Sequence, residues 1–360
     1  MEQRSTVFRS EAVLKARNIF PVQDVEVIFY HGSCMDGVFA AACVRKALEH
    51  LRDVPECIAV HHNSVDIASM CIIARDKNVA MIDFSVSRDN CERIKNVAKN
   101  FFVLDHHETA QKNLVDCEYA CIDQEYSGAV LAAGWVAVSD MEKNSDDHLA
   151  ESCVPTYADY VGDRDLWRFQ LPYSRAIHAA METAMEKITL ENAMAIVNHT
   201  SGMTDNETAS YFESLATMGT QILDTRTSII ESTMRNAVVN TLGESEIRVA
   251  FLCTSVMVSE TGDYLLNNSI DNSGEPADVA VLWWYQENKK KTGFSFRSKK
   301  RPDGTYIDVS KVAAHFKGGG HVHAAGARAI EGPPADVRTL VTEYMKTGAV
   351  RFENVPSTSD

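Results

Sequence analysis

The chain has 360 residues, 45% of them apolar, and a formal net charge of -15 at pH 7. That length makes two domains the prior. The charge argues against a protein that coats long nucleic acid through its whole surface, because such binding rests on neutralised phosphates. Any anionic substrate must meet a local positive patch. The apolar runs at 79–82 and 279–284 are too short to cross a bilayer, so no membrane association is expected. Residues 1–20 lack the apolar stretch of a secretory signal, and Glu2 and Glu11 interrupt any transit-peptide pattern. The cytoplasm is the expected compartment, with the mitochondrion as the alternative. The nine cysteines (Cys34, Cys43, Cys57, Cys71, Cys91, Cys117, Cys121, Cys153 and Cys253) contain no C-x-x-C pair and are odd in number. They read as reduced thiols, most of them small packing residues.

In chain order, apolar runs that read as strands alternate with stretches that read as helices, the pattern of a parallel sheet covered on both faces. Val25–Tyr30 reads as a strand, Gly37–Leu51 as a helix, and Cys57–Val60, Val79–Ile82 and Phe101–Leu104 as further strands. Helices are expected around Asp66–Ala74 and Arg88–Lys99. Tyr126–Ala129 opens a helix whose N-terminus could hold a phosphate. A helix over Thr156–Val161 ends just before Gly162-Asp163-Arg164-Asp165-Leu166-Trp167. The stretch 189–234 is amphipathic and helical and reads as a connector. Strands at Ile247–Cys253, Ala277–Tyr285 and Gly293–Phe296, a helix at Val309–His315 and a glycine turn at 318–320 then make a second, smaller α/β domain.

The expected organisation is an N-terminal extension over 1–24, a parallel-sheet α/β domain over 25–188, the helical connector over 189–245, the second domain over 246–348 and a disordered tail over 349–360. His31, Asp83 and Asp105 each follow an apolar strand, at the carboxyl ends where open α/β sheets bind ligands. Carboxylates and imidazoles on separate loops are what a metal centre needs to activate water and neutralise a phosphate. Each feature alone has a plainer reading. An Asp after a strand often caps a helix, and His-His pairs such as His61-His62 occur in surface loops.

The positive patch lies in 288–302, with Lys289, Lys290, Lys291, Arg297, Lys299, Lys300 and Arg301. The lysines read equally as a solvated loop. Arg297 differs: in Phe294-Ser-Phe-Arg-Ser298 the alternation puts its guanidinium on one face with Ser295 and the two phenylalanines on the other. Trp284, Tyr285, Phe296 and His323 are candidates for stacking a base, although aromatics in alternating strands more often belong to the core.

Set beside known families, the chain closely resembles the DHH phosphoesterase superfamily, in the branch with the DHH-associated C-terminal domain found in nanoRNases and single-strand exonucleases. The resemblance covers most of the chain. It rests on Tyr30-His-Gly-Ser-Cys-Met-Asp-Gly37, Met81-Ile-Asp-Phe-Ser85, Leu104-Asp-His-His-Glu-Thr109, Gly162-Asp-Arg-Asp-Leu-Trp167 and Gly318-Gly-Gly-His-Val-His-Ala-Ala-Gly326, in family order. It implies that His31, Asp36, Asp83, His106 and Asp163 bind two Mn2+ ions, with Mg2+ or Co2+ as alternatives, and that Asp83 bridges them. Asp105 would orient His106, and His107 would face the scissile phosphate.

On the second domain, the resemblance implies a substrate clamp from Arg297, Gly318, Gly319, Gly320 and His321, with His323 beside it. The implied activity is two-metal hydrolysis of phosphodiester bonds in short oligonucleotides. Alternatives within the class are a bisphosphonucleotide phosphatase, a cyclic dinucleotide phosphodiesterase and an exopolyphosphatase. The alternative outside it is a pseudoenzyme that binds nucleotides or a partner. A short oligonucleotide or small phosphorylated nucleotide is the expected partner, with a homodimer as a further option. The first motif departs from the family in holding one aspartate, Asp36, after Ser33, Cys34 and Met35. Cys34 is then either a soft metal ligand or a packed thiol that shapes the loop.

Overall fold

A computed structural model of the protein describes residues 10–32, 34–51, 54–61, 64–139, 154–242, 246–271, 273–331, 337–349 and 352–354. Ser33, His62, Cys153, residues 1–9 and residues 355–360, on which parts of the sequence reading fall, lie outside them. The chain divides into two compact units, Met1–Leu223 and Asp224–Asp360.

The first unit opens with α1 (Glu11–Ile19) and then alternates β1 (Val27–His31), α2 (Met35–Ala47), β2 (Glu56–Val60), α3 (Ile67–Ala74), β3 (Asn78–Ile82), α4 (Arg88–Lys95), β4 (Asn100–Asp105), α5 (Glu108–Asn113), β5 (Ala120–Ile122) and α6 (Gly128–Ser139). The strands pair in parallel, in the order β2-β1-β3-β4-β5. Side chains alternate between the faces of such a sheet, and here both faces are buried. Ile28, Tyr30, Ala80, Ile82, Phe102 and Leu104 share a core with α1, α2 and α6. Val27, Phe29, Val79, Met81, Phe101 and Val103 share the opposite core with α3 and α4. The alanines at 40–42 of α2 and at 132–133 of α6 keep side chains short where these helices pack. Asp66 caps α3, accepting from the amides of Ala68 and Ser69.

Helices α7 (Thr156–Asp165), α8 (Ser174–Ala184) and α9 (Leu190–Thr200) follow, and the long α10 (Asp205–Met234) continues into the second unit. There β6 (Val238–Leu242), β7 (Ile247–Cys253), α11 (Val258–Asn267), β8 (Val279–Gln286), β9 (Lys291–Ser298), β10 (Thr305–Ile307), α12 (Val309–His315), β11 (Gly319–His321), β12 (Ala324–Glu331), α13 (Val337–Tyr344) and β13 (Phe352–Asn354) complete the described structure. A mixed sheet runs β11-β12-β9-β8-β7-β6, in which β7 and β8 are the parallel pair. Phe294, Phe296 and Phe316 stack in the core beneath α12 and α13. Ala280, Leu282 and Leu265 make the smaller core on the α11 side. Among the described residues, no helix is long and apolar enough to cross a membrane.

The structure corrects the sequence reading in four places. The supposed N-terminal extension contains α1, whose Val13 and Ala16 are fully buried, and Phe20 then packs against Phe102 and Trp135 at ring-centroid distances of 4.8 and 5.9 Å. The stretch read as connector ends in β6, which pairs antiparallel with β7. Part of the supposed tail is β13, paired with β10. The helix expected to stop at Val161 runs on to Asp165.

Candidate metal centre and phosphate-binding residues

The strand order reverses direction between β1 and β3, and at such a switch point the carboxyl ends of neighbouring strands leave a crevice for ligands. His31 ends β1, Asp83 follows β3, and Asp105 ends β4 with His106 and His107 next in the chain. Asp83 takes the left-handed backbone conformation, φ 54°, which aspartate tolerates better than most residues. Its amide donates to the Leu104 carbonyl at 2.9 Å, which fixes the turn. Two glycines let other chain segments close on this carboxylate. A Cβ on Gly128 would lie 2.5 Å from Asp83 Cβ and 2.8 Å from its Cγ, and one on Gly37 would lie 3.0 Å from Asp83 Oδ2.

Asp36 arrives from the first turn of α2 and is almost fully buried. Its Oδ2 accepts from the Gly128 amide at 2.5 Å and its Oδ1 from the Ala129 amide at 2.9 Å. The N-terminus of α6, expected to offer itself to a phosphate, is therefore occupied by a carboxylate of the chain itself. Asp36 Oδ2 also lies 3.5 Å from His106 Nε2, with Asp83 Oδ1 at 3.1 Å and Asp165 Oδ2 at 3.6 Å from the same nitrogen. On the other side of Asp83, Oδ2 lies 3.7 Å from His31 Nδ1.

Two assignments change. Asp163 does not join the cluster: its carboxylate accepts from the amides of Gln170 at 2.9 Å and Leu171 at 3.3 Å and organises the loop after α7. Residues two apart on a helix point about 200° apart, so only one of Asp163 and Asp165 can face the site, and it is Asp165. Asp105 holds His107 rather than the ring of His106. Its Oδ1 meets His107 Nδ1 at 2.7 Å and accepts from the amides of His106 at 2.7 Å and His107 at 3.2 Å.

The charges in this cluster conflict. Burial, then the charges of Asp83 and Asp165, push the Asp36 carboxyl well above the usual range. Burial and Asp83 do the same to Asp165. Burial would also raise Asp83, but the hydrogen bond from His106 and the nearby His31 and His107 imidazoles outweigh it and bring the group down to about 2. Burial pulls His106 down, yet its hydrogen bond with Asp83 and the surrounding carboxylates lift it to about 10. His107 is likewise raised, its bond to Asp105 outweighing burial.

Asp83 Oδ2 and Asp105 Oδ2 are buried without a hydrogen-bond partner, an arrangement that costs roughly 1–3 kcal/mol or more for a charged group. Three donor groupings converge here, each offering ligand atoms within 4.8 Å of one another: Asp36, His106 and Asp165; His31, Cys34 and Asp83; and Asp83, Asp105, His106 and His107. Oxygen and imidazole donors with an orphaned central carboxylate oxygen fit divalent ions. Asp165 is the member that sequence reasoning did not select, and its signal was the helical spacing from Asp163; Cys34 is the one left open there between a soft ligand and a packed thiol.

In the second unit, cross-strand register puts His321, Ala324 and Arg297 on one rung of the sheet, with His321 paired to Ala324 and Ala324 paired to Arg297. Paired residues point to the same face, so Arg297 and His321 sit two strands, about 10 Å, apart on one surface. Arg297 is half-buried, donates from Nη2 to Ser259 Oγ at 3.0 Å, and has its pKa drawn down by burial. Gly319, Gly320 and His321 are exposed. Gly318 is different: its amide donates to Ala313 at 2.8 Å to close α12, and a side chain there would run into the Gly326 carbonyl. Gly318 thus shapes the turn and has no free amide for an anion. His323 Nδ1 lies 3.1 Å from Ser298 Oγ, and its ring stands edge-on to Tyr306. Phe296 is wholly buried and is no stacking platform, while Trp284 and Tyr285 are part-exposed. Of the basic patch, Arg301 makes paired bonds of 2.7 and 2.8 Å to Asp278 and lies over the Phe352 ring, so its role is structural.

No family model matches the chain. An uncharacterised protein of Acanthamoeba polyphaga mimivirus is 25% identical over 332 residues, which cover 86% of this chain and 68% of the viral one. Among solved structures, the DHH domain of a member of a ribosomal-protein family superposes with a TM-score of 0.53 at 12% identity, covering 94% of this chain and 93% of its own. The exonuclease RecJ bound to manganese superposes with a TM-score of 0.51 at 12% identity, covering 96% of both chains.

Proposed function

The chain has the DHH-domain fold, and from the centre that this fold carries here we propose that it is a metal-dependent phosphoesterase that hydrolyses phosphodiester bonds in short oligonucleotides. One observation bears most of the weight: Asp36, Asp83, Asp165 and His106 meet at 3.1–3.6 Å in a buried site where the carboxylates outnumber the cations available. In this reading Asp36, Asp83, His106 and Asp165 would hold one ion, and His31 with Asp83 would hold a second. Manganese is the proposed ion, in keeping with oxygen-rich donors and with the manganese in the RecJ structure.

Bound there, divalent ions would lower the pKa of water and neutralise charge on the phosphate. The residues do the rest. Asp83, fixed by its turn, presents Oδ1 to His106 and Oδ2 to His31. Asp105 locks the His107 ring through Nδ1, which leaves Nε2 to carry a proton to a leaving oxygen, a role suited to an imidazole whose pKa is raised. Arg297 and His321 are proposed to bind substrate phosphate, His321 as a neutral or charged donor and Arg297 through its fork of N–H groups. The acidic total charge favours a short substrate over a long polyanion.

The test is incubation of the purified chain with Mn2+ and labelled RNA and DNA dinucleotides, followed by product chromatography. Mononucleotide products support the proposal. The same panel holds a bisphosphonucleotide, a cyclic dinucleotide and polyphosphate, and cleavage of one of these alone would replace the substrate class. Every substrate recovered intact under every divalent ion would instead favour a nucleotide- or partner-binding protein.

A further inference from the structure

The two oxygens of Asp83 look onto different sets of donors. Oδ1 lies 3.1 Å from His106 Nε2, among Asp36 and Asp165. Oδ2 lies 3.7 Å from His31 Nδ1 and has no hydrogen-bond partner although it is buried. His31 and Asp83 share a donor set whose third member is not a carboxylate but the thiol of Cys34: one ligand atom each from His31, Cys34 and Asp83 lies within 4.8 Å of the others. Donors around a tetrahedral ion, with bonds of about 2.0–2.3 Å, stand roughly 3.5 Å apart, so side-chain shifts of about 1 Å close this set on a cation. Cys34 stands at the N-cap of α2, two residues before Asp36, so the same helix end carries a donor of each set.

We infer that Cys34 is a metal ligand, completing with His31 and Asp83 a thiolate–imidazole–carboxylate site that takes a softer ion such as Zn2+ or Co2+, beside an oxygen-rich site suited to Mn2+. The inference rests on the metal-centre reading above and sharpens it into a mixed-metal centre. Thiolate donors favour such ions over Mn2+ and Mg2+, and ligand type is how sites of similar affinity discriminate. On binding, the S–H bond breaks, a sulfur–metal bond forms and the proton leaves to solvent. No electron changes hands. The remaining coordination positions stay open to water or substrate, as in catalytic rather than structural zinc sites.

Cobalt reads this out without any assay of activity. Titrated into the full chain, Co2+ is expected to give visible ligand-field bands and a near-ultraviolet sulfur-to-cobalt charge-transfer band. Cys34→Ser should keep the ligand-field bands, lose the charge-transfer band, and bind Zn2+ at least about tenfold more weakly. Its Mn2+ affinity should change much less. Cys34→Asp, which restores a donor of different chemistry should the serine variant misfold, should likewise lose the charge-transfer band and shift preference towards Mn2+. Ligand-field bands without charge transfer in the unsubstituted chain would overturn the inference and leave the metal centre standing. So would a charge-transfer band undiminished in both variants. Absence of all cobalt bands would instead bring down the metal-centre reading itself.

Discussion

The strand ends of the first unit and the glycine turn of the second differ in how their functional groups are held. At the first, Asp36 is bound by two backbone amides, Asp105 by a ring nitrogen and two amides, and Asp83 is hemmed in by Gly37 and Gly128. At the second, Gly319 has nothing within 4 Å of where a side chain would sit, and His321 lies on an exposed edge strand. Buried groups braced from several sides suit chemistry, where positions within a fraction of an ångström matter. An open edge on a sheet suits recognition of a ligand that must come and go. The comparison predicts large, position-sensitive losses at the first site and modest, binding-type losses at the second.

The largest effect is expected from Asp83→Ala, which removes the carboxylate shared by both donor sets. Divalent-ion affinity and turnover should both fall to background while the circular dichroism spectrum is kept. Retained metal binding, measured by calorimetry, would break the assignment of Asp83 as the central group. Next is Gly128→Ala. Its added methyl would press on Asp83 Cβ and Cγ, at 2.5 and 2.8 Å, and displacing a braced group on that scale costs roughly a hundredfold in kcat. A variant as active as the unsubstituted chain would show that the bracing is not tight.

His321→Ala sharpens the other half of the comparison. Losing one exposed donor to a phosphate is worth about 1.4 kcal/mol, so KM should rise about tenfold with little change in kcat. A fall in kcat with KM unchanged would move His321 from recognition into chemistry.

The smallest effect concerns Asp159 on α7, outside the cluster. Burial, and then the charge of Asp163, push its carboxyl up to about 7. A carboxyl with a raised folded-state pKa binds its proton more tightly in the native state. The stability it contributes is therefore full below the unfolded value near 4 and is lost as pH rises through about 7. Asp159→Asn should flatten that loss, so that melting temperatures at about pH 5 and about pH 8 lie closer together than in the unsubstituted chain. An unchanged gap between the two would assign the pH dependence to other groups.

The sequence made the sheet and its functional edge legible because His31, Asp83 and Asp105 each end or follow a short continuous apolar run, the local signal of a strand buried on both faces. It did not reveal that Asp36 caps α6, since the partners are 92 positions apart and the contact exists only once the sheet has formed. Asp163 was named from the resemblance, and the expected end of the helix at Val161 hid the periodicity that turns Asp165 rather than Asp163 to the site, because α7 passes through Gly162 and runs on to Asp165. Helix α1 was missed because its apolar residues, Ala12, Val13 and Ala16, are few, and its burial depends on Phe20 reaching Phe102 and Trp135. In the second unit the alternation at 294–297 correctly separated Arg297 from the two phenylalanines. Nothing local could tell that Arg301 would be spent on Asp278 while Arg297 kept to the surface that His321 shares.

Anomalous diffraction at the manganese edge, from crystals grown with excess Mn2+, tests the central claim most directly. The account predicts a peak within bonding distance, about 2.0–2.3 Å, of Asp36, Asp83, His106 and Asp165 together. Manganese bound elsewhere, with these four side chains turned to protein partners as Asp163 is, would contradict it.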